Sequence, residues 1–290
     1  MRITDSGRYA STLRQLNTPS QALARASEQV TSGLRWSKIS EDPSAGRQVM
    51  DIDSTLRSIA QYRRTISRSR ERLATEENTL GQVTDILARI KELATGQGGA
   101  NASTASRLAT ATEVAQLRGQ IISLGNVQVD GEFLFAGTTT STAPFDPTGN
   151  YTGTATARAS ALAPGRTEET VHTGQQLFVD TGVLSVLSDL EAALRADDGA
   201  AIRGTISGID AAFDGVQTNL AEIGARDRSL DNLEASFDNR EDAMSARRRD
   251  LAEIPLEEAT LNLTAAQTAL QAAYLVTSRL QSLSLTEYLR

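Results

Sequence analysis

Few residues in this chain could do chemistry. Its 290 residues hold one histidine, His172, and no cysteine. That composition excludes a thiol nucleophile, a disulfide, an iron–sulfur cluster, a Cys-ligated zinc and any site built on two imidazoles. His172 is the sole imidazole general base available, but it lies among Thr and Gly with no Ser or Asp arrangement resembling a triad. It is read as a surface or strand histidine. The carboxylate clusters Glu76-Glu77, Asp197-Asp198 and Glu257-Glu258 have no histidine at metal-ligand spacing and are read as solvated helix faces or caps. Gly96-Gln97-Gly98-Gly99 follows a helical pattern and lacks both the preceding strand and the trailing GK[ST] of a phosphate loop, so it is read as a loop between helices. No catalytic residue, cofactor-binding residue or metal ligand emerges, and an enzyme is not expected.

The basic residues Arg63, Arg64, Arg68, Arg70 and Arg72, with Arg247, Arg248 and Arg249, are the only candidates for nucleic-acid contact. They alternate with acidic and apolar residues and have almost no aromatics beside them for base stacking. Solvated or intersubunit salt-bridging faces are the better reading. The net charge of -7 argues against a chain-wide surface for nucleic acid or anionic membrane. Three glycosylation triplets, at Asn101, Asn150 and Asn262, recur by chance at this length and carry little weight.

The elements that must position these residues are marked by a seven-residue apolar repeat. Tyr9, Leu16, Leu23 and Val30 form a first short stripe. Ile52, Ile59, Ile66, Leu73, Leu80, Leu87 and Ala94 form a second, with Tyr62, Val83 and Ile90 at plus-three positions. A third runs Ile202, Ile209, Val216, Ile223, Leu230, Phe237, Met244 and Leu251. The second stripe alone predicts a helix of roughly 45 residues and about 65 Å. Strict sevens over that length call for left-handed supercoiling against partner helices. Shorter helices are predicted over about 106–124, from Val114, Leu117, Ile121 and Leu124, and around Val183, Leu187, Leu190 and Leu194. Leu256, Leu263 and Leu270, interleaved with Ala259, Ala266, Ala273 and Leu280, continue the pattern to the carboxyl end.

Between about Asp130 and Thr181 the composition changes to Thr, Gly, Pro and aromatics, including Phe133, Phe135, Phe145, Tyr151 and Phe178. Segments 132–136, 151–156 and 171–179 read as short strands. Heptads on both sides of this insert predict a chain that goes out, turns and returns beside itself. The fold class expected is mainly α: a long antiparallel coiled-coil helical rod with a small β-rich insertion at its distal end and paired terminal helices. The corresponding domains are a terminal helical module (1–39 and 256–290), a coiled-coil rod (40–129 and 182–255) and the variable insert (130–181). Pro255 should interrupt the return helix.

The terminal helices carry too little apolar surface to offset chain entropy as a lone pair. They are therefore expected to order on assembly, with Tyr9, Leu13, Leu16, Leu23, Val30, Leu263, Leu270, Leu280, Leu285 and Leu289 as the assembly interface. The amino terminus has no apolar h-region, and nowhere do 18 uncharged apolar residues run together, so neither a cleaved signal peptide nor a membrane span is expected.

Several segments then resemble a known family. Ser32-Gly33-Leu34-Arg35 and Ser40-Glu41-Asp42-Pro43 are similar to S-G-x-R and S-D-D-P elements of the flagellin superfamily of bacterial flagellar proteins. Residues 125–138, Gly-Asn-Val-Gln-Val-Asp-Gly-Glu-Phe-Leu-Phe-Ala-Gly-Thr, are similar to its A-N-x-x-x-D-G-x-Y-x-F-A-G-T element. The close, Ser284 to Arg290, resembles the S-L-x-x-Y-L ending of the subunits that join hook to filament more than the terminus of filament flagellins. The chain departs from the family at Arg63-Arg64-Thr65-Ile66, where Asn is common, and at Pro255, where an acidic residue is common. The resemblance implies an extracellular, non-catalytic subunit of the flagellum, exported unfolded by the type III apparatus. It also implies a ring of such subunits between another junction protein and the first flagellins, and a cytoplasmic export chaperone on the carboxyl-terminal helix. A filament flagellin is the near alternative, and a cytoplasmic coiled-coil signalling or scaffold protein the alternative from another class.

Overall fold

The computed structural model describes the backbone of residues 2–99 and 101–288, and side chains from Arg14 to Arg279 except at positions 15 and 100. The chain divides into two compact units. One comprises the residues up to Ser58 together with those from Asp238 onward, and the other residues 59–237.

In the first unit, helix α1 (Arg2–Ser32) packs along helix α6 (Leu256–Tyr288). Gly33, at φ +69°, ends α1 in the left-handed conformation that L side chains rarely adopt, and its N–H donates to the Gln29 carbonyl. The segment that follows lies along the carboxyl end of helix α5 (Gly199–Ala252). Ile254 N donates to the Gly33 carbonyl, Arg35 N to the Ala252 carbonyl and Trp36 Nε1 to the Leu251 carbonyl. Pro255, which has no N–H, separates α5 from α6 as expected. Asp42 caps helix α2 (Pro43–Gln97): its Oδ1 accepts from the N–H groups of Ser44 and Ala45, and Pro43 occupies the first turn. Arg248 pairs with Asp53 at 2.9 Å, so α2 and α5 run side by side here.

In the second unit the same two helices are antiparallel. Tyr62 stacks on Phe237 at 5.9 Å between centroids, Arg70 reaches Glu234 at 2.8 Å and Lys91 reaches Asp210 at 2.6 Å. The heptad residues form the seam between them. Ile59, Ile66, Leu73, Leu80, Leu87 and Ala94 are buried on α2, as are Ile202, Ile209, Val216, Ile223, Leu230 and Phe237 on α5. Helices α3 (Thr104–Gly125) and α4 (Val183–Arg195) pack on each other and complete the core with Val114, Ile121, Leu187, Leu190 and Leu194. Ser103 caps α3 and Asp198 caps α5 through side-chain oxygens.

Arg107 fastens the loops at the ends of these helices. Its side chain is 10% exposed and donates to the carbonyls of Gln97 and Gly99 and to both the carbonyl and Oδ1 of Asp197. Arg107→Ala removes all four bonds and leaves several acceptors unmet. We expect a loss of about 2–4 kcal/mol in urea unfolding, whereas substitution of the exposed Arg195 moves stability by less than about 0.5 kcal/mol.

The insert departs from the strands expected of it. Only the start of 132–136 is a strand: β2 (Glu132–Phe133) pairs antiparallel with β1 (Gln128–Val129) across Asp130 and Gly131, both at positive φ. Such a two-residue turn matches the right-handed twist of the flanking strands. Segment 151–156 forms no strand. Tyr151 makes a single bridge to Phe145, and its hydroxyl faces the carbonyls of Phe135 and Thr154. Segment 171–179 ends in a π-helical turn, Gln175–Val179, because Thr173 and Gln176 cap each other's N–H groups and redirect the backbone. The second hairpin is instead β3 (Ala159–Ala163) with β4 (Arg166–Glu169), joined through Pro164 and Gly165. Gly137, at φ +69°, lies so close to the Thr154 and Thr156 carbonyls that a Cβ there would collide with backbone.

Candidate functional site

The described residues offer two features to weigh as sites: the terminal helix pair and a buried ionic cluster in the second unit.

Leu16, Leu23 and Val30 on α1 and Leu263 and Leu270 on α6 are half-buried. Ala26 and Ala259 are buried, so small residues let the helices approach closely. The side chains of Tyr9, Leu13, Leu280 and Leu285, and all of Leu289, lie outside the described residues. Among the described residues the apolar side chains most open to solvent are others: Leu261 (70% exposed), Leu256, Leu275, Val276 and Tyr274, all on α6. An open groove of about 540 Å³ runs between α1 and α6, lined by Ala22, Arg25, Ala266 and Ala269 among others. Leu261, Leu275 and Val276 fall off the heptad register that Leu263 and Leu270 follow, so periodicity alone does not point to them.

The cluster overturns two expectations. His172 is 3% exposed and lies outside any strand, where a surface or strand residue was expected, and Glu76 is fully buried rather than on a solvated face. His172 Nδ1 lies 2.5 Å from Glu76 Oε1 on α2, and Nε2 lies 3.1 Å from Glu222 Oε2 on α5. Burial by itself pushes the imidazole pKa down. The hydrogen bond and charge of Glu76, assisted by Glu222, outweigh burial and the nearby Arg226 guanidinium, and the pKa stands above its ordinary value. A signal was present in the sequence: Glu76 falls three residues after Leu73, at a seam position where Val83 and Ile90 are apolar, so a carboxylate there must find a buried partner. The two carboxylates face opposite ring nitrogens and do not converge on one point, and among the described residues no group of three or more His, Cys, Asp or Glu could hold a metal ion.

The basic clusters are also partly resolved within the chain. Arg70 is bound by Asp227, Asp231 and Glu234, and Arg72 and Arg158 share Glu132, whose pKa is lowered chiefly by its hydrogen bond with Arg158. These are intramolecular pairs, correcting the solvated or intersubunit reading for Arg70 and Arg72. Arg64 and Arg68 are exposed, and Arg63 is half-buried. Arg247 donates to Gln48. Asp198 serves as a helix cap, as read, whereas Asp197 anchors a loop through Arg107, and Glu258 pairs with Arg35 at the α6 start. Among the described residues no helix is long and apolar enough to cross a membrane.

Long antiparallel helices with aliphatic seams, interrupted by a small insert, define a helical structural protein. Residues 3–140 match the family model described as the bacterial flagellin N-terminal helical region, and residues 206–289 match the bacterial flagellin C-terminal helical region. The chain belongs to the flagellin family. Flagellar hook-associated protein 3 of Escherichia coli (strain K12) is 26% identical over 312 residues, covering 98% of this chain and 98% of that protein. The flagellar filament 41 kDa core protein of Borreliella burgdorferi is 30% identical over 99 residues, covering 34% of this chain and 30% of that protein. A crystal structure of flagellar hook-associated protein-3 from Legionella pneumophila shares the fold, with a TM-score of 0.63 and 14% identity, over 70% of this chain and 98% of that one.

Proposed function

We propose that the chain is the structural subunit that joins hook to filament in the bacterial flagellum, and that it assembles through its terminal module, residues 1–39 and 256–290. The observation that carries this reading is the extent of likeness: hook-associated protein 3 aligns end to end, whereas the filament protein aligns over about a third of either chain. A structural rather than catalytic role accords with where the charges go. The buried and half-buried ionic groups Arg70, Arg72, Arg107 and His172 are engaged by other parts of the same chain.

In this reading the subunit acts outside the cell, as part of the flagellum. Its partners are other copies in a ring, a second junction protein on one side and flagellin on the other. A cytoplasmic export chaperone covers the carboxyl-terminal helix beforehand, which accords with the apolar side chains that α6 leaves open. No cofactor, metal or nucleic acid takes part.

Disrupting the gene is the direct test. The expected phenotype is a cell that does not swim and sheds flagellin monomers into the medium, with both defects corrected by the intact gene. Purified protein that forms long filaments unaided would make it a flagellin instead. Retention in the cytoplasm, with none in sheared flagella, would make it a coiled-coil scaffold.

A further inference from the structure

We propose that His172 is a proton-operated clasp that holds the insert against both long helices, closed while the imidazole carries its second proton and released when that proton leaves. Nδ1 faces Glu76 Oε1 on α2 and Nε2 faces Glu222 Oε2 on α5. An ionised carboxylate only accepts, and a neutral imidazole has one N–H, so only the imidazolium serves both partners at once.

The surroundings make the loss of that proton consequential. Glu76 is fully buried, and among the described residues its hydrogen bonds come from His172 alone, from the ring and, at 3.4 Å, from the backbone N–H. The charged groups acting on the ring are Glu76 from α2, and Glu222 and Arg226 from α5. The hydroxyl-bearing neighbours in its own segment, Thr170 and Thr173, are uncharged. Arg226 donates to the Glu169 carbonyl. The adjacent Arg72, Glu132 and Arg158 satisfy one another and make no bond to the ring. Loss of the proton therefore sets two acceptors against each other on one side of the ring and takes the positive charge from beside Glu76.

The segment that would be released is short and defined. Val171 and Thr173 are buried on either side of the histidine. Thr170 N donates to the Arg158 carbonyl and Gly174 N to the Phe135 carbonyl, linking the clasp to the second hairpin and the aromatic core of the insert. Because the folded pKa lies above the unfolded value of about 6.5, the contribution is complete below about pH 6.5 and is lost as pH rises through the folded value.

A chain with one histidine allows a direct test: the ring proton resonance of His172 in the full chain reports one titration. The expected midpoint lies above 6.5. Glu222→Gln, at a half-exposed side chain, should move that midpoint to lower pH by about half a pH unit or more. The denaturant midpoint of the wild type should fall between pH 6 and pH 9 more than that of His172→Gln. A wild-type ring titrating at or below 6.5, or a midpoint unmoved by Glu222→Gln, overturns the proposal. The Glu222→Gln arm decides the matter even where His172→Gln does not fold.

Discussion

Removing residues 256–290 abolishes swimming, while the shortened subunit stays soluble and folded through residues 59–237. The folding half of this expectation follows from where the core lies. Every buried residue of the second unit, from Ile59 to Phe237, is supplied without α6. The assembly half rests on the proposed role of α6, whose Leu261 and Leu275 are 70% and 65% exposed and so add little to the fold of a single subunit. A milder variant separates the two effects. Leu261→Asp with Leu275→Asp should change stability by no more than about 0.5 kcal/mol per site, as surface substitutions do. If these side chains are anchors of a subunit interface, each costs about 2 kcal/mol or more of association, roughly a thirtyfold loss. Swim-plate diameter, flagellin shed into the medium and urea unfolding of the purified variant are the measurements. Wild-type swimming by the truncated or the doubly substituted subunit would refute the assignment of α6 to assembly.

The long helices were legible in the sequence because a heptad is local arithmetic. Ile66, Leu80 and Leu87 on α2 and Ile202 and Val216 on α5 are fully buried where the spacing placed them. The same arithmetic places Glu76 on the seam, against the solvated face read for it, and its partner, His172, is brought to it by the fold of the insert, which no periodicity encodes. The insert was least legible for a related reason. β3 and β4 read Ala159-Ser160-Ala161-Leu162-Ala163 and Arg166-Thr167-Glu168-Glu169, with a single β-branched residue between them, and only the Pro164-Gly165 turn marked the hairpin. Tyr151 and the 171–179 segment looked like strand because their composition is right for one. Side chains decide otherwise: the Tyr151 hydroxyl and the Thr173–Gln176 cap take backbone partners that a sheet would have used.

That aromatic insert core should also be the place where one substitution costs most. Phe178, on the π-helical turn, is 1% exposed and meets Phe135 edge-on at 5.6 Å and Phe145 edge-on at 5.3 Å, and Phe145 also packs against Tyr151 at 5.3 Å. Phe145 in turn lies against Gly125 and Gly174 so closely that a Cβ at either position would meet its ring at less than 3 Å, which joins the cluster to the end of α3. Phe178→Ala empties the middle of this arrangement, and neighbours locked by backbone contacts have little room to collapse into the space. Truncations of this kind cost about 3–5 kcal/mol, a third or more of the stability of many domains. At about 2–4 °C per kcal/mol for a unit of this size, the melting temperature should fall on the order of 10 °C. Val179→Ala is the matched control. It changes the next residue of the same turn, but Val179 is 40% exposed and should cost less than about 1 kcal/mol. Calorimetry or thermal circular dichroism of both variants settles the comparison. A Phe178→Ala protein melting with the wild type would mean that the aromatic cluster is not what holds the insert together.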